Sequence, residues 1–197
     1  MNEKLESDVM NQLFTEARTY PGWSAKPVPD SLLYELYDLA KWGPTSMNCQ
    51  PMRLVFVRSA EAREKLVSAL ARGNVEKVKT APVTVIIAHD MSFYANLGSQ
   101  FPHAPNAADM FLENDALIES TAFRNGSLQG AYLLIAARAM GLDTGPMSGF
   151  DNDKVDELFF PGEDVKSNFI MTLGYGDEAS LHARGPRLEF GAAASIR

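Results

Sequence analysis

Apolar residues recur at helical spacing in three long stretches of the chain. The first covers about residues 8–17. The second begins at Asp30, whose carboxylate is a typical N-cap, and stops at the pair Gly43-Pro44. The third and longest covers about residues 115–140 and ends at Gly141. Each stretch is predicted to form a helix.

Short apolar runs between turn residues predict three strands, at residues 53–58, 82–88 and 168–173. The run at 82–88 lacks polar alternation, which is typical of a strand buried on both faces. Two more helices are predicted behind the capping residues Ser59 and Asp151, and they extend to about residues 71 and 159. Helices outnumber strands, so the predicted fold class is α+β.

Two segments lack regular patterns of this kind. Residues 89–113 are rich in proline, asparagine and aromatic residues and form a long excursion. Loops of this length are typical of functional or lid-like segments. The tail from Gly185 onward shows only weak periodicity, and we expect it to lie against a neighbouring chain.

The longest predicted helix carries small residues at interior positions, namely Gly126, Gly130, Ala131, Ala136 and Ala137. Such residues weaken a helix, but they allow another backbone to approach it closely. Two interpretations stay open. The helix is either a tightly packed core element, which the spacing alone favours, or an element that packs against its symmetry mate in a dimer.

The composition suits one globular domain spanning residues 1–197, since 46% of the residues are hydrophobic and 22% are charged. The net charge of −7 argues against a nucleic-acid-binding protein, which usually has a basic face. No segment reaches the roughly 20 apolar residues that a membrane span needs. The polar amino terminus and the single cysteine, Cys49, favour a cytoplasmic location.

Several common catalytic motifs are missing or misleading. Residues 174–179 match a dinucleotide pattern, but only 18 residues follow them, so a turn at a strand end is the better interpretation. His89, His103 and His182 lack metal-ligand spacing, and no metal site is predicted. Cys49 is better explained as a small buried residue than as a nucleophile. No acid–base pair stands out, so no side chain is predicted to be catalytic.

Polar residues concentrate instead in four loops that contain glycine or proline or end a helix. Each segment taken alone is better explained as an ordinary turn, whereas the four together suggest a protein that holds a cofactor with its own chemistry. Arg18 and Thr19 end the first helix and residues 43–51 link a helix to a strand, so both can supply donors to a phosphate. Residues 73–77 offer amides and a cation to the acceptor edge of a planar ring. Residues 141–151 offer small residues that permit close backbone approach.

These segments, in this order, resemble the nitroreductase family of flavoenzymes. The sequence P-T-S-x-N-x-Q-P at 44–51 is similar to the family's P-S-S-x-N-x-Q-P motif. Residues 141–151 are similar to its G-x-x-x-x-P-x-x-G-F-x loop, and Arg184-Gly185-Pro186 resembles the basic R-x-P near its carboxyl terminus. The resemblance spans essentially the whole chain.

The resemblance implies a sandwich fold in which helices flank a central mixed or antiparallel sheet. It also implies a homodimer with two sites for flavin mononucleotide (FMN), each built from both chains at the subunit interface. The family's mechanism is ping-pong: NAD(P)H passes hydride to N5 of the flavin, and a small-molecule acceptor then takes its place. The flavin carries the chemistry, and no protein nucleophile is needed.

Carried over by position, the resemblance implies FMN contacts in four groups. They are Arg18, Thr19 and Arg184 at the phosphate, Ser46 and Asn48 beside the phosphate and ribityl chain, Asn74 and Lys77 at the pyrimidine edge of the ring, and Pro146, Met147, Ser148 and Gly149 over the opposite side. The cation of Lys77 suits the negative charge that reduced flavin develops at N1 and O2. A backbone N–H of Ser148 or Gly149 suits N5.

The chain departs from the family pattern at two of these places. Family members commonly carry Glu at position 148, where this chain has Ser, so a side-chain role there is lost and a backbone role survives. The family often reads R-R-S-x-R in the first motif, whereas this chain has Arg18-Thr19-Tyr20. Lys26 and Arg187 are further basic candidates for the phosphate site.

Within the family, four segments resemble the malonic semialdehyde reductase branch. They are W-G-P-T-S-x-N, F-R-N-x-S-x-Q-x-A-Y-L, L-D-T-G-P-M-S-G-F-D and the K-S-N segment at 166–168. That branch reduces malonic semialdehyde to 3-hydroxypropionate in pyrimidine utilisation. Two alternatives stay open. One is a broad nitro- or quinone reductase whose acceptor pocket is shaped by the excursion, and the other is a flavin-binding protein without turnover.

Overall fold

The computed structural model describes residues 3–197 of the chain. Its α-helices are α1 (Ser7–Met10), α2 (Asp30–Ala40), α3 (Ala60–Val67), α4 (Val75–Thr80), α5 (Leu97–Gln100), α6 (Asp115–Ala139), α7 (Asn152–Phe159) and α8 (Phe190–Ala193). Its strands are β1 (Met52–Val57), β2 (Val83–Asp90), β3 (Asp143–Met147) and β4 (Val165–Gly174). A π-helical turn at Asn11–Thr15 continues α1, and 3-10 turns occupy Ser46–Asn48, Arg72–Asn74, Phe93–Asn96, Ala107–Phe111 and Glu178–Ser180.

The strands form one four-stranded sheet in the order β1-β2-β4-β3. Each neighbouring pair is antiparallel, so the sheet is antiparallel throughout rather than mixed. β2 and β4 lie at the centre, whereas β1 and β3 are the two edges. This order places the segment that precedes β1 and the segment that follows β3 on opposite sides of the molecule.

Helices cover both faces of the sheet, as the unbroken apolar run of β2 predicts. Val83, Val85 and Ile87 pack in one buried cluster with side chains of α2 and α6. Ile86 and Ala88 point the other way and pack with side chains of α3, α4 and α7. Full burial of a Val or Ile side chain contributes roughly 1.5–3 kcal/mol. The predicted α+β sandwich is therefore confirmed.

Helix α6 lies directly on the sheet. The side chain of Asn114 caps it by accepting a hydrogen bond from the backbone N–H of Leu117 at 3.2 Å. A Cβ added at Gly126 would lie 2.9 Å from Cβ of His89, and one added at Gly130 would lie 2.7 Å from Cζ of Phe169. These two glycines permit the close approach of helix to sheet, which confirms the core interpretation for them.

Two elements differ from the sequence prediction. Asp143–Met147 is strand β3, although its Gly and Pro predict a loop; Pro146 is tolerated because β3 is an edge strand. Helix α4 precedes β2 where a polar loop is predicted, because six residues are too few to show helical periodicity. The predicted third helix is also shorter, since α3 ends at Val67 rather than near residue 71.

The excursion after β2 is ordered around its own small apolar core. Phe93, Leu97 and Phe111 are almost completely buried there, together with Cys49 from the segment before β1. The predicted long loop therefore contains short helices and packs against residues 46–50. Within residues 3–197, no helix combines the length and the apolar character that a membrane crossing requires.

Candidate functional site

The two basic motifs at the ends of the chain meet beside strand β3. Thr19 forms an isolated parallel bridge with Thr144 of that strand. The guanidinium of Arg18 donates to the carbonyl oxygen of His182, and that of Arg184 donates to the carbonyl oxygen of Ala17 at 3.0 Å. The structure therefore brings Arg18 and Thr19 together with Arg184, which lies more than 160 positions later in the sequence.

A second polar cluster lies where β3 ends. Nδ2 of Asn74 donates to the carbonyl oxygen of Gly149 at 3.0 Å, and Nζ of Lys77 donates to Oδ1 of Asn74 at 3.4 Å. The Gly149 carbonyl also accepts from the backbone N–H of Ala71 at 3.0 Å. A Cβ added at Gly149 would lie 2.8 Å from Nδ2 of Asn74, so any larger residue would force the Asn74 amide to shift.

Strand β3 connects the two clusters. Thr144 contacts Thr19 at the end of the strand near Arg18 and Arg184, which we call the arginine end. Pro146 and Met147 complete the strand, and Ser148 follows it. Thr144 and Ser148 are about 13 Å apart in an extended chain at about 3.3 Å per residue. The site is thus elongated, with guanidinium groups at one end and amide and ammonium groups at the other.

Ser46 and Asn48 are positioned by a different part of the fold. They belong to the 3-10 turn before β1, where the backbone N–H of Ser46 donates to Oδ1 of Asn125 at 2.9 Å. Nδ2 of Asn48 donates to the carbonyl oxygen of Gln100 at 3.0 Å. Because β1 and β3 are opposite edges of the sheet, they are about 14 Å apart at about 4.8 Å per strand. One chain therefore does not assemble all the predicted residues around β3.

Two buried amides of α6, which the sequence prediction missed, position the segment that carries Ser46 and Asn48. Asn125 and Gln129 are 4% and 3% exposed, and they lie one helical turn apart. Asn125 accepts from the backbone N–H of Ser46, and Oε1 of Gln129 accepts from the backbone N–H of Met52 at 2.9 Å. The signal was present in the F-R-N-x-S-x-Q pattern, which places two amides four positions apart in an apolar helix.

The cations of the β3 site are not neutralised by carboxylates. Among residues 3–197, none of the salt bridges includes Arg18, Lys77 or Arg184. Arg138 lies near the arginine end: burial lowers its pKa, the charge of Arg184 lowers it further, and Asp143 opposes both effects. This end of β3 therefore holds three guanidinium groups near the carboxylate of Asp143, and those of Arg18 and Arg184 form no salt bridge within residues 3–197, so both can bind an anion.

The two further basic candidates make other contacts. Nζ of Lys26 lies 3.6 Å from the centre of the Tyr175 ring, in a cation–π contact. Arg187 donates to the carbonyl oxygens of Gly185 and Pro186 in its own tail segment. In this chain, Arg18 and Arg184 are thus the basic residues whose contacts join the two motifs.

The remaining candidates for chemistry are buried. Cys49 is 2% exposed, and burial raises the pKa of its thiol, while a hydrogen bond with Thr45 opposes that shift. The interpretation of Cys49 as a buried packing residue is confirmed. His89 is also buried, and its ring meets that of Phe123 edge-on at 5.9 Å between centroids. No group of three or more His, Cys, Asp or Glu within residues 3–197 is arranged to hold a metal ion.

Comparisons with known proteins find a family and relatives that match most of this chain. The model of the nitroreductase family matches residues 18–175. A protein of Burkholderia lata named as an NADH dehydrogenase/NAD(P)H nitroreductase is 56% identical over 186 residues, which cover 94% of this chain and 95% of that protein.

Solved structures with the same fold are more distant in sequence. The nitroreductase ydfN of Bacillus subtilis superposes with a TM-score of 0.86 at 23% identity, covering 98% of this chain and 100% of its own. A nitroreductase of Exiguobacterium sibiricum, solved in complex with FMN, superposes with a TM-score of 0.86 at 20% identity, covering 98% of this chain and 99% of its own.

Proposed function

This chain belongs to the nitroreductase family, and from that premise we propose that it is an FMN-dependent NAD(P)H oxidoreductase acting as a cytoplasmic homodimer. The observation that carries the proposal is the pair of polar clusters at the two ends of β3. A molecule with a phosphate at one end and a planar ring with an acceptor edge at the other matches both. We further propose that residues 1–197 form one FMN-binding domain.

The residues present fit FMN. Arg18 and Arg184, with the hydroxyl of Thr19, would hold the phosphate, since their charges have no carboxylate partner among the described residues. The backbone of Pro146, Met147, Ser148 and Gly149 would lie against the ring, and the absence of a Cβ at Gly149 keeps Asn74 within hydrogen-bond distance of it. Bound FMN would supply hydride transfer between NAD(P)H and an acceptor.

The protein's own part is to bind the cofactor and to tune its reactivity. Lys77 and Asn74 would contact the pyrimidine edge, where a fixed cation stabilises negative charge. A backbone N–H of Ser148 or Gly149 would donate to N5, and the Ser side chain at position 148 would have no chemical role. No residue of the chain is required as a nucleophile.

The homodimer would complete the site. Ser46 and Asn48 lie at the β1 side of the sheet, so in the proposed dimer they reach the β3 site of the other chain. Support comes from large apolar side chains that one chain leaves exposed, among them Tyr34 at 74% and Trp42 at 80%. The tail from Gly185 also exposes Leu188 and Phe190, as expected of a segment that lies against a partner.

For the acceptor we propose malonic semialdehyde, reduced to 3-hydroxypropionate, with the support of the branch-like motifs at 121–134 and 141–151. The name of the Burkholderia relative favours a second candidate, a nitro- or quinone reductase. Steady-state assays with NADH and NADPH would compare the aldehyde with a quinone and a nitroaromatic compound. Efficient quinone or nitro reduction without turnover of the aldehyde would reject the first candidate and support the second.

One absorbance measurement tests the flavoenzyme proposal itself. Purified protein should be yellow, and its flavin band should bleach when NAD(P)H is added without oxygen. Protein that stays yellow under those conditions would be a flavin-binding protein without turnover. Protein that neither carries FMN nor takes it up on addition would contradict the proposal.

A further inference from the structure

The segment that carries Ser46 and Asn48 adopts a strained backbone. Met47, Asn48 and Gln50 have φ angles of 51°, 51° and 41°, which lie in the left-handed region that favours glycine. None of them is glycine, so other contacts must hold this conformation. The two ends of the segment are fixed by the α6 amides described above, but the backbone between them has no sheet partner.

A ring of three side-chain amides closes over the middle of the segment. Nε2 of Gln50 donates to Oδ1 of Asn48 at 3.0 Å and to Oε1 of Gln100 at 2.8 Å. Nδ2 of Asn48 donates in turn to the backbone carbonyl of Gln100 at 3.0 Å. The carboxamide of Asn48 is thus held by a donor, Gln50, and an acceptor, the Gln100 carbonyl. Gln100 contributes two acceptors, its side-chain Oε1 to Gln50 and its backbone carbonyl to Asn48.

Gln100 is exposed, but the helix that carries it is anchored in the apolar core. It is the last residue of α5, whose first residue, Leu97, is 1% exposed. Leu97 packs in the same apolar cluster as Phe93 and Cys49, and Cys49 directly follows Asn48 in the chain. The excursion and the strained segment therefore share one apolar core. At the surface, Gln100 joins them through its hydrogen bonds with Asn48 and Gln50.

From this geometry we propose that Gln100 is a positioning residue for Asn48, and that through it the excursion controls how tightly FMN is held. The proposal rests on the proposed function, because it takes Asn48 as an FMN contact. The Oε1 atom of Gln100 orients the carboxamide of Gln50, and Gln50 fixes the orientation of Asn48. A displacement of α5 would release this chain of contacts, so changes in the excursion would alter cofactor affinity as well as the acceptor pocket.

The test compares Gln100→Ala with Gln100→Glu in the FMN-loaded full-length protein. The Ala variant loses the Oε1 acceptor, whereas the Glu variant keeps an acceptor for the Gln50 amide. We expect the dissociation constant for FMN, measured by flavin fluorescence, to rise about ten-fold in the Ala variant and to stay within about two-fold in the Glu variant. Ser99→Ala is the matched control, because within residues 3–197 the Ser99 hydroxyl hydrogen-bonds only to the carbonyl oxygen of Asn96, which directly precedes α5.

Amide hydrogen exchange in flavin-free protein provides a second readout. The backbone N–H groups of Asn48, Cys49 and Gln50 donate to oxygens of Thr45 and Ser46, so their protection reports the conformation of the segment. Gln100→Ala should speed exchange at residues 48–50, and Ser99→Ala should not.

The outcomes separate the two proposals. Unchanged FMN affinity in Gln100→Ala, or an equal loss in Gln100→Glu, would overturn the positioning role while the protein still binds FMN. Failure of the wild-type protein to bind FMN would instead contradict the proposed function.

Discussion

At the residue scale, the presence or absence of a single Cβ atom affects the contacts of the proposed site. Gly149 shows this, because a Cβ there would lie 2.8 Å from Nδ2 of Asn74. Gly73 lies in the neighbouring turn, and a Cβ there would meet nothing within 4 Å. The same substitution thus has opposite consequences at two glycines that are close in the fold.

We therefore predict that Gly149→Ala displaces Asn74 and weakens FMN binding by about ten-fold or more, since the hydrogen bond between Asn74 and residue 149 is lost. Gly73→Ala should bind FMN like the wild type. Fluorescence titration of both variants with FMN makes the comparison. Equal affinities in the two variants would show that the close contact at Gly149 does not matter.

Lys77 is expected to act through its charge. We predict that Lys77→Met slows reduction of the bound flavin by NAD(P)H about 100-fold, because a positioned cation no longer stabilises the developing negative charge. Stopped-flow absorbance under anaerobic conditions measures this rate. Lys79→Met is the control on the same helix. Lys79 is exposed, so its substitution should leave the rate of flavin reduction unchanged.

His89 should make stability depend on pH. Burial lowers its pKa, and the charges of Asp156 and Glu119 only partly oppose that shift. The unfolded chain therefore binds the proton more tightly than the folded protein. Stability is fully present above the unfolded pKa of about 6.5 and is lost as the pH falls from there through the folded pKa.

The prediction is that wild-type protein loses more free energy of unfolding than His89→Gln between about pH 7.5 and 5.5. Urea denaturation at the two pH values provides the measurement. His103→Gln is a suitable control, because His103 is exposed. The same pH dependence in wild type and His89→Gln would assign the effect to other groups.

At the element scale, helix α6 has two roles. Its glycines bring it onto the sheet, and its two buried amides bind the segment before β1. A polar side chain buried in an apolar helix costs free energy unless it is hydrogen-bonded. The position of α6 relative to residues 46–52 is therefore specified by hydrogen bonds as well as by packing.

This view predicts that Gln129→Leu, which keeps the volume but removes the acceptor, lowers the free energy of unfolding by about 1–3 kcal/mol. The loss arises because the backbone N–H of Met52 is left buried without a partner. Chemical denaturation measures it, and Ser120→Ala on the exposed face of α6 is the control. A Gln129→Leu variant as stable as the wild type would mean that water replaces the lost acceptor.

At the scale of the whole molecule, the sheet order separates the predicted cofactor contacts. Ser46 and Asn48 lie near one edge, whereas Arg18, Asn74 and Gly149 lie along the other. The proposed dimer with shared sites would resolve this separation. It would also cover the exposed apolar side chains on and after α2.

We predict that Trp42→Glu, at a residue 80% exposed in one chain, disrupts the dimer and causes loss of FMN together with it. Light scattering should then give a mass near the monomer value of 21.6 kDa. Leu5→Glu, at a residue 56% exposed on the amino-terminal segment, should remain a dimer. A wild-type protein that is monomeric with FMN bound would contradict the shared site.

Much of the fold follows from the sequence pattern. The bounds of α2, α6 and α7 agree with prediction to within a residue or two, because Gly43-Pro44, Gly141 and the cap Asp151 mark their ends. Asp30 is the first residue of α2 rather than its predicted cap, since Pro29 holds the cap position. β2 was identifiable because burial on both faces demands an unbroken apolar run. β3 could not be identified from the sequence, because its Gly145 and Pro146 favour a turn. It is a strand only because it pairs with β4.

The sequence by itself determined the periodic elements, the excess of acidic residues and the polar loops that resemble a flavoenzyme family. Those features are local, so they are readable from neighbouring residues. Only the tertiary structure decided that Arg184 reaches the carbonyl of Ala17, that Asn74 meets Gly149, and that Gln100 holds Asn48. These contacts join residues far apart in the chain, and no local propensity encodes them. They exist because the packed sheet and α6 bring the loops together.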